Sequence, residues 1–302
     1  MQRGELSRRM LLGGLAALVA CSSRSAGSGD KPAAPAEGWH DLEFPAANGV
    51  EAERALIFAP EGSASWPVLI ALHGRGEAGR GLRAGAYGWR DEYDLGKAID
   101  RLKTGHLDSD DAGHMLDAAR LEALNKSLTS KPWSGLIVAC PYTPVPTGRT
   151  PSDAAPFARF LTDVLLPKIG ELRGAPVKRE ETGIDGVSMG GRYALQIGLG
   201  VSSAFASVGG LQPAIQVGEA DAFADLAAQT VAKHPTTIRL VSSEGDPFLE
   251  ATRALAAALD QRKVASSIVV TQGPHDYVWN QGPGSIELAL HHERVLRGLP
   301  AP

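Results

Sequence analysis

A single α/β domain with a mostly parallel central sheet and helices on both faces is the fold this sequence predicts, and three observations predict it. Residues 66–72 and 135–140 are almost unbroken apolar runs, the pattern of strands buried on both faces. From residue 150 onward short apolar runs alternate with stretches of helical periodicity, which builds a parallel sheet through crossover connections. Residues 38–302 are also enough to bury a sizeable core as one domain.

The elements follow in order. Residues 41–44 and 54–58 predict an antiparallel hairpin, because the Asn48-Gly49 pair between them suits a turn that needs positive φ. The run 66–72 leads into His73-Gly74-Arg75-Gly76, and the run 135–140 into Pro141-Tyr142. Phe157, Phe160, Leu161, Val164 and Leu165 share one helical face, with Ser152 or Asp153 placed to cap the helix and Pro156 in its first turn. Further strands are predicted at 181–185, 206–209, 237–241 and 266–271, and helices at 192–199, between the second and third of these strands, at 248–261 and at 285–296. The segment 78–132 is longer than one crossover helix needs, which predicts a crossover carrying a small cap-like insert. Within it, Asp108 to Gly113 begins like a calcium loop, but Ala112 and Ala119 occupy positions that need oxygen donors, so a solvated acidic turn is expected.

The first residues predict export. Arg8-Arg9 precede a short apolar run, 11–20, and a basic segment, a core too short to span a bilayer and small residues before a cleavage point make residues 1–20 an export signal. The arginine pair resembles a twin-arginine signal, with Leu11 where a Phe is common. Leu18-Val19-Ala20-Cys21 resembles a bacterial lipobox, which implies a lipid on Cys21, a membrane partner and a place in the cell envelope. Residues 21–37 are rich in Ser, Gly, Ala and Pro and bury too little surface to offset ordering, so a flexible tether is expected. Loss of residues 1–20 removes three arginines and one glutamate and takes the formal charge from −4 to −6. With no basic stripe, no nucleic-acid partner is expected. Cys140 is the one cysteine within the domain, so no disulfide framework holds it.

Gly186-Val187-Ser188-Met189-Gly190-Gly191 sits where a strand-like run turns into a helix-like one. In a chain with 35 glycines so short a pattern counts only in context, and here the context is that of a nucleophile elbow. Its glycines permit a strained turn and a close strand–helix approach, leaving the Ser188 hydroxyl to point away from the sheet. A serine hydroxyl is a poor nucleophile at neutral pH and needs a base, with a third group to fix the tautomer of that base. His275, after the last predicted strand, and Asp246, after the strand at 237–241, lie where such groups would emerge. Glu244 is the alternative acid, and Asp246 has the alternative role of capping the next helix. His291-His292-Glu293 match no metal-ligand spacing and predict a solvated helix face; no metal or organic cofactor is expected.

The chain order Ser188, Asp246, His275, with Leu72-His73-Gly74-Arg75-Gly76, Gly245-Asp246-Pro247 and Gly273-Pro274-His275-Asp276-Tyr277, resembles the α/β-hydrolases, particularly their bacterial esterase branch related to esterase D and feruloyl-esterase-like proteins. The resemblance runs from the hairpin to the last helix, and departs from the branch in the aromatic spacing at Tyr277 and Trp279. It implies an α/β-hydrolase fold and cleavage of a small-molecule ester through an acyl-enzyme. It also implies an oxyanion hole made by the backbone N–H groups of Met189 and Arg75, with His73 bracing that loop. The same triad serves peptidases and acyltransferases, and a catalytically silent binding protein on this fold is the remaining alternative. Because the insert leaves directly after the oxyanion loop, Tyr87, Trp89 and Tyr93 are expected to wall a substrate pocket, with Tyr142 beside them and Arg75 placed to hold a carboxylate. Packing of these aromatics onto the sheet is the competing expectation.

Overall fold

The computed structural model describes residues 38–46, 51–62, 66–201 and 203–302. The predicted export signal, lipobox, tether and Asn48-Gly49 turn lie outside the described residues. The described residues all belong to one compact unit.

The hairpin forms as β1 (Gly38–Phe44) and β2 (Glu53–Ala59), antiparallel, with Trp39 opposite Phe58. The apolar runs become β3 (Val68–Leu72) and β4 (Ile137–Pro141), and β5 (Thr182–Gly186), β6 (Ser207–Leu211), β7 (Thr237–Gly245) and β8 (Ser266–Pro274) follow. Together they make an eight-stranded sheet in the order β1-β2-β4-β3-β5-β6-β7-β8, parallel throughout from β4 to β8. Successive residues of β3 point to opposite faces. Val68, Ile70 and Leu72 enter one core while Leu69 and Ala71 enter the other, which is why the run reads as continuously apolar.

The first core is closed by the helices Pro151–Arg159, Met189–Gly200, Ala220–Lys233 and Leu249–Gln261. The second is closed by Leu95–Lys103, Ala118–Ser130 and Ser285–Val295. The cap of the Pro151 helix falls earlier than predicted: Thr150 opens it, and Asp153 accepts the Thr150 N–H at 2.8 Å.

Two expectations need correction. The segment 78–132 does not form a separate cap, because its helices belong to the second layer, where Leu95, Ile99, Leu102, Leu124 and Leu128 pack beneath the sheet and Leu95–Lys103 contacts the final helix. Nor is the final helix solvated at His291-His292-Glu293, where all three residues are buried. Glu287, His292 and Glu293 each meet a partner from a distant element, whereas His291 packs edge-on against His292 and its Nε2 has no partner among the described residues. Glu287 accepts from Arg120 at 2.6 and 2.7 Å and pairs with Arg239; His292 Nε2 lies 3.0 Å from Asp185 Oδ2; Glu293 accepts from Ser134 Oγ at 2.6 Å and pairs with Arg294. Burial pushes the Glu287 carboxyl up, but Arg239 and Arg120 outweigh it and hold the group below the ordinary carboxylate range.

A buried ion pair contributes little against an apolar replacement of both partners, whereas removing one partner strands the other. Glu287→Ala is therefore expected to lower the unfolding free energy by about 3–5 kcal/mol, since the Arg239 side chain is only 2% exposed. Urea unfolding checks this, and a loss under about 1 kcal/mol would contradict the account.

Candidate active site

The turn at Ser188 is built by glycines that have no room for a side chain. A Cβ on Gly190 would lie 2.3 Å from the Leu72 carbonyl oxygen and 2.6 Å from that of His73, and one on Gly186 would lie 2.6 Å from Leu72 O. The helix start is thus pressed against the end of β3, and Ser188 between them takes φ 57° and ψ −114°, a left-handed conformation that a non-glycine residue adopts only under constraint. Hydrogen bonds supply the constraint: Ser188 N–H donates to Leu211 O at 2.9 Å, and the Ser188 carbonyl accepts from Ala214 N at 2.9 Å and Arg192 N at 3.0 Å.

The ends of β7 and β8 bring the other two residues together. Gly245 pairs with Pro274 across the strands, so the next residue of each, Asp246 and His275, emerge side by side. His275 Nδ1 lies 2.9 Å from Asp246 Oδ1, and His275 Nε2 lies 3.0 Å from Ser188 Oγ. The Asp246 side chain is fully buried and accepts from Ser242 Oγ at 2.5 Å and from Phe248 N at 3.0 Å. An ionised carboxylate can only accept, so the Nδ1 hydrogen points to Asp246 and the Nε2 lone pair faces the serine. Phe248 packs edge-on to the imidazole at 5.3 Å. Glu244, the alternative acid, is exposed and paired with Arg253 at 3.0 Å.

Met189 and Arg75 are each the first residue of a helix, Met189–Gly200 and Arg75–Ala78, so neither N–H has an intrahelical acceptor. The neighbouring Gly74 N–H is already used, donating to Tyr93 Oη at 3.0 Å, and a Cβ on Gly74 would lie 3.8 Å from Ser188 Cβ. His73 braces this loop from below: its Nε2 accepts the Thr143 N–H at 2.8 Å, which leaves Nδ1 to donate to the Gly74 carbonyl at 2.8 Å.

One residue of this region was not singled out in the sequence. Glu77, 1% exposed, accepts from Tyr277 Oη at 2.7 Å and from Arg80 at 2.9 Å, and also from Tyr93 Oη, the hydroxyl that holds Gly74. Burial and the Glu77 charge push the Tyr93 hydroxyl well above its ordinary pKa and keep it a donor. One carboxylate thereby ties the loop of Arg75 to the loop of His275. An acid beside a glycine-rich loop reads as solvated, and its tyrosine partners lie 16 and 200 residues away, so no local signal marks it.

A cavity of about 530 Å³ opens beside Ser188, walled by Arg75, residues 145–149, Met189, Arg192, Ala214, Gln216 and Phe248. None of the aromatics expected to line the pocket does so. Trp89 is fully buried and packs edge-on to Tyr93 at 4.9 Å, in the core under the sheet. Tyr87 donates to Asp41 Oδ2 at 2.6 Å and lies under the Arg90 guanidinium at 4.3 Å. Tyr142 donates to the Ala78 carbonyl at 3.1 Å, its ring beside His73. Of the later pair, Trp279 is buried with its Nε1 donating to Thr271 Oγ1 at 2.8 Å. Cys140 is buried in β4, and burial pushes its thiol pKa up. Among the described residues no group of three or more His, Cys, Asp and Glu side chains is arranged to hold a metal ion, and no helix is long and apolar enough to cross a membrane.

Similarity to solved structures matches this geometry in fold. A ferulic acid esterase superposes with a TM-score of 0.59 at 16% identity, over 86% of this chain and 98% of its own. The S-formylglutathione hydrolase of Staphylococcus aureus gives 0.56 at 13% identity, over 82% and 95%. A ferulic acid esterase from the anaerobic fungus Anaeromyces mucronatus gives 0.54 at 17%, over 83% and 89%. The chain therefore has the α/β-hydrolase fold. No family model and no curated protein matches it by sequence.

Burial lowers the His73 pKa from 6.5 to about 4. Its folded value lies below its unfolded one, so the unfolded chain takes up the proton first as pH falls. The contribution of neutral His73 is intact above about pH 6.5 and declines towards pH 4, by about 3 kcal/mol in all. Unfolding free energies across this range should fall in the parent and fall less in His73→Gln, which retains an acceptor for Thr143; parallel curves would contradict the assignment.

Proposed function

We propose that this chain is a serine hydrolase that cleaves small-molecule esters through an acyl-enzyme. The observation that carries the reading is the continuous line of hydrogen bonds from Asp246 through His275 to Ser188, at 2.9 and 3.0 Å, which ends at a serine in the wall of a cavity. His275 Nε2 takes the Ser188 proton as Oγ attacks the ester carbonyl, and Asp246 stabilises the imidazolium that results. The N–H groups of Met189 and Arg75 receive the developing oxyanion, each such donor lowering the barrier by roughly 2.7–4 kcal/mol. His275 then protonates the departing alcohol, and a water activated by the same nitrogen releases the acid. The names of the similar solved structures, ferulic acid esterase and S-formylglutathione hydrolase, support an ester over an amide as the substrate. We also propose that the protein is exported and lipid-anchored at the cell envelope, a reading supported by Arg8-Arg9 and Leu18-Val19-Ala20-Cys21.

A fluorophosphonate probe is expected to label the parent protein at Ser188, Ser188→Ala not at all, and His275→Ala at least roughly a hundredfold more slowly. Folded parent protein that stays unlabelled would favour the binding-protein alternative, and faster turnover of peptide amides than of esters would favour a peptidase. For the anchor, the full-length chain should partition with membranes and Cys21→Ala should not; soluble full-length chain without lipid on Cys21 would refute it.

A further inference from the structure

We propose that the cavity beside Ser188 is an anion-binding acyl pocket, so that the preferred substrates are esters whose acyl chain ends in a carboxylate. The proposal rests on the hydrolase reading above and adds the substrate class. Three arginines, Arg75, Arg149 and Arg192, stand in the cavity wall, and no carboxylate does. Only one acid compensates them from behind. Glu219 accepts from Arg149 at 2.9 and 2.7 Å and from Arg192 at 2.7 and 2.7 Å. Although burial pushes the Glu219 pKa up, these bonds bring it down to about 2, so it is a fixed single negative charge between two positive ones.

The remaining charge is unbalanced. The Arg75 side chain is exposed and makes no ion pair or hydrogen bond among the described residues, although Arg80, a little further along the same loop, is paired twice. Arg192 is 3% exposed, and its Nε is a buried donor with no partner among the described residues. The rest of its head is spent on Glu219 and on the Ala214 and Arg149 carbonyls, so Arg192 adds charge from within the wall while Arg75 is the guanidinium left free to meet a ligand. A carboxylate fits the planar Arg75 guanidinium by geometry as well as charge, and Val145, Pro146 and Phe248 supply apolar wall for the methylenes that lead to it.

The acyl side is assigned by His275. The alcohol must leave beside His275 Nε2 to be protonated, and His275 is not part of this wall, whereas Met189 and Arg75, whose N–H groups face the carbonyl oxygen, are. The chain on the carbonyl carbon is therefore the part that enters the cavity.

Monoethyl glutarate and ethyl hexanoate, an anionic and a neutral ester whose acyl groups have the same reach in heavy atoms when a carboxylate oxygen replaces the terminal methyl, test this by pH-stat titration. The parent should favour the glutarate ester in kcat/KM by roughly tenfold to a hundredfold, and Arg75→Gln should collapse that ratio by a similar factor, with Arg75→Lys between. A parent that prefers the hexanoate, or a ratio unchanged in Arg75→Gln, overturns the proposal. If neither ester is turned over and Ser188 is not labelled, the hydrolase reading fails on its own terms. Calorimetric titration with glutarate against its neutral diamide then reads the pocket alone: selective binding of glutarate upholds it, and equal or absent binding overturns it.

Discussion

The carbonyl oxygens of Leu72 and His73 lie so close to the helix that begins at Met189 that Gly190 has no space for a methyl group, and the site is arranged by that contact. It brings the end of β3 and the start of the helix to one point, so the loop after β3 and the residue after Ser188 necessarily share a side of the serine. The chain between them must turn within two residues, which forces Ser188 to positive φ and costs of order 1–3 kcal/mol. That cost is offset by ties on both sides: Val187 N–H to Leu72 O at 3.0 Å fastens the turn to β3, and Ser188 N–H to Leu211 O at 2.9 Å fastens it to β6. The proposed nucleophile and oxyanion donors are therefore products of one packing event rather than separate placements.

Around this point, buried charge fixes what packing leaves free. Glu77 joins the loops of Arg75 and His275 through Tyr93 and Tyr277, and Asp185, one residue before the elbow, is held by His292 of the final helix. Such interactions add little net stability because both partners are desolvated, but a displaced loop would strand a buried charge. They penalise alternative positions of the loops more than they favour folding itself, which suits groups that must stay within a few tenths of an ångström of a reacting carbonyl.

The legible parts of the sequence were those whose cause is local. Unbroken apolar runs marked β3 and β4 because both faces of those strands are covered, and Gly186, Gly190 and Gly191 marked the elbow because backbone meets backbone there. The end of β7 was placed at Val241 but runs to Gly245, since Ser242 and Ser243 are polar yet buried, one donating to Asp246 and the other accepting from Gln212. The final helix read as solvated for the same reason: its partners Arg120, Arg239 and Asp185 come from elements more than 40 residues away, as separations of 167, 48 and 107 residues attest. Trp89 carried two readings in sequence, and only its full burial decides for the core.

That outcome moves substrate selection away from the longest loop. The segment after β3 spends Trp89 and Tyr93 on the core, and it meets the histidine loop through the Glu77–Tyr277 hydrogen bond, the stacked Tyr93 and Tyr277 rings and the Met115 carbonyl, which accepts from Gln272 N–H, rather than through a wall of the cavity. Apart from Arg75 and the elbow residues Ser188, Met189 and Arg192, the cavity is walled by shorter loops after β4, β6 and β7, whose positions are set directly by the strand ends. Arg75 alone serves on both sides of the proposed chemistry, with its backbone N–H at the oxyanion and its side chain in the cavity wall. Since Gly74 N–H is occupied by Tyr93, that N–H cannot be exchanged for its neighbour without breaking a buried bond. The separation between carbonyl and terminal anion is then limited by the reach of one arginine side chain, so the pocket discriminates acyl groups by length as well as by charge.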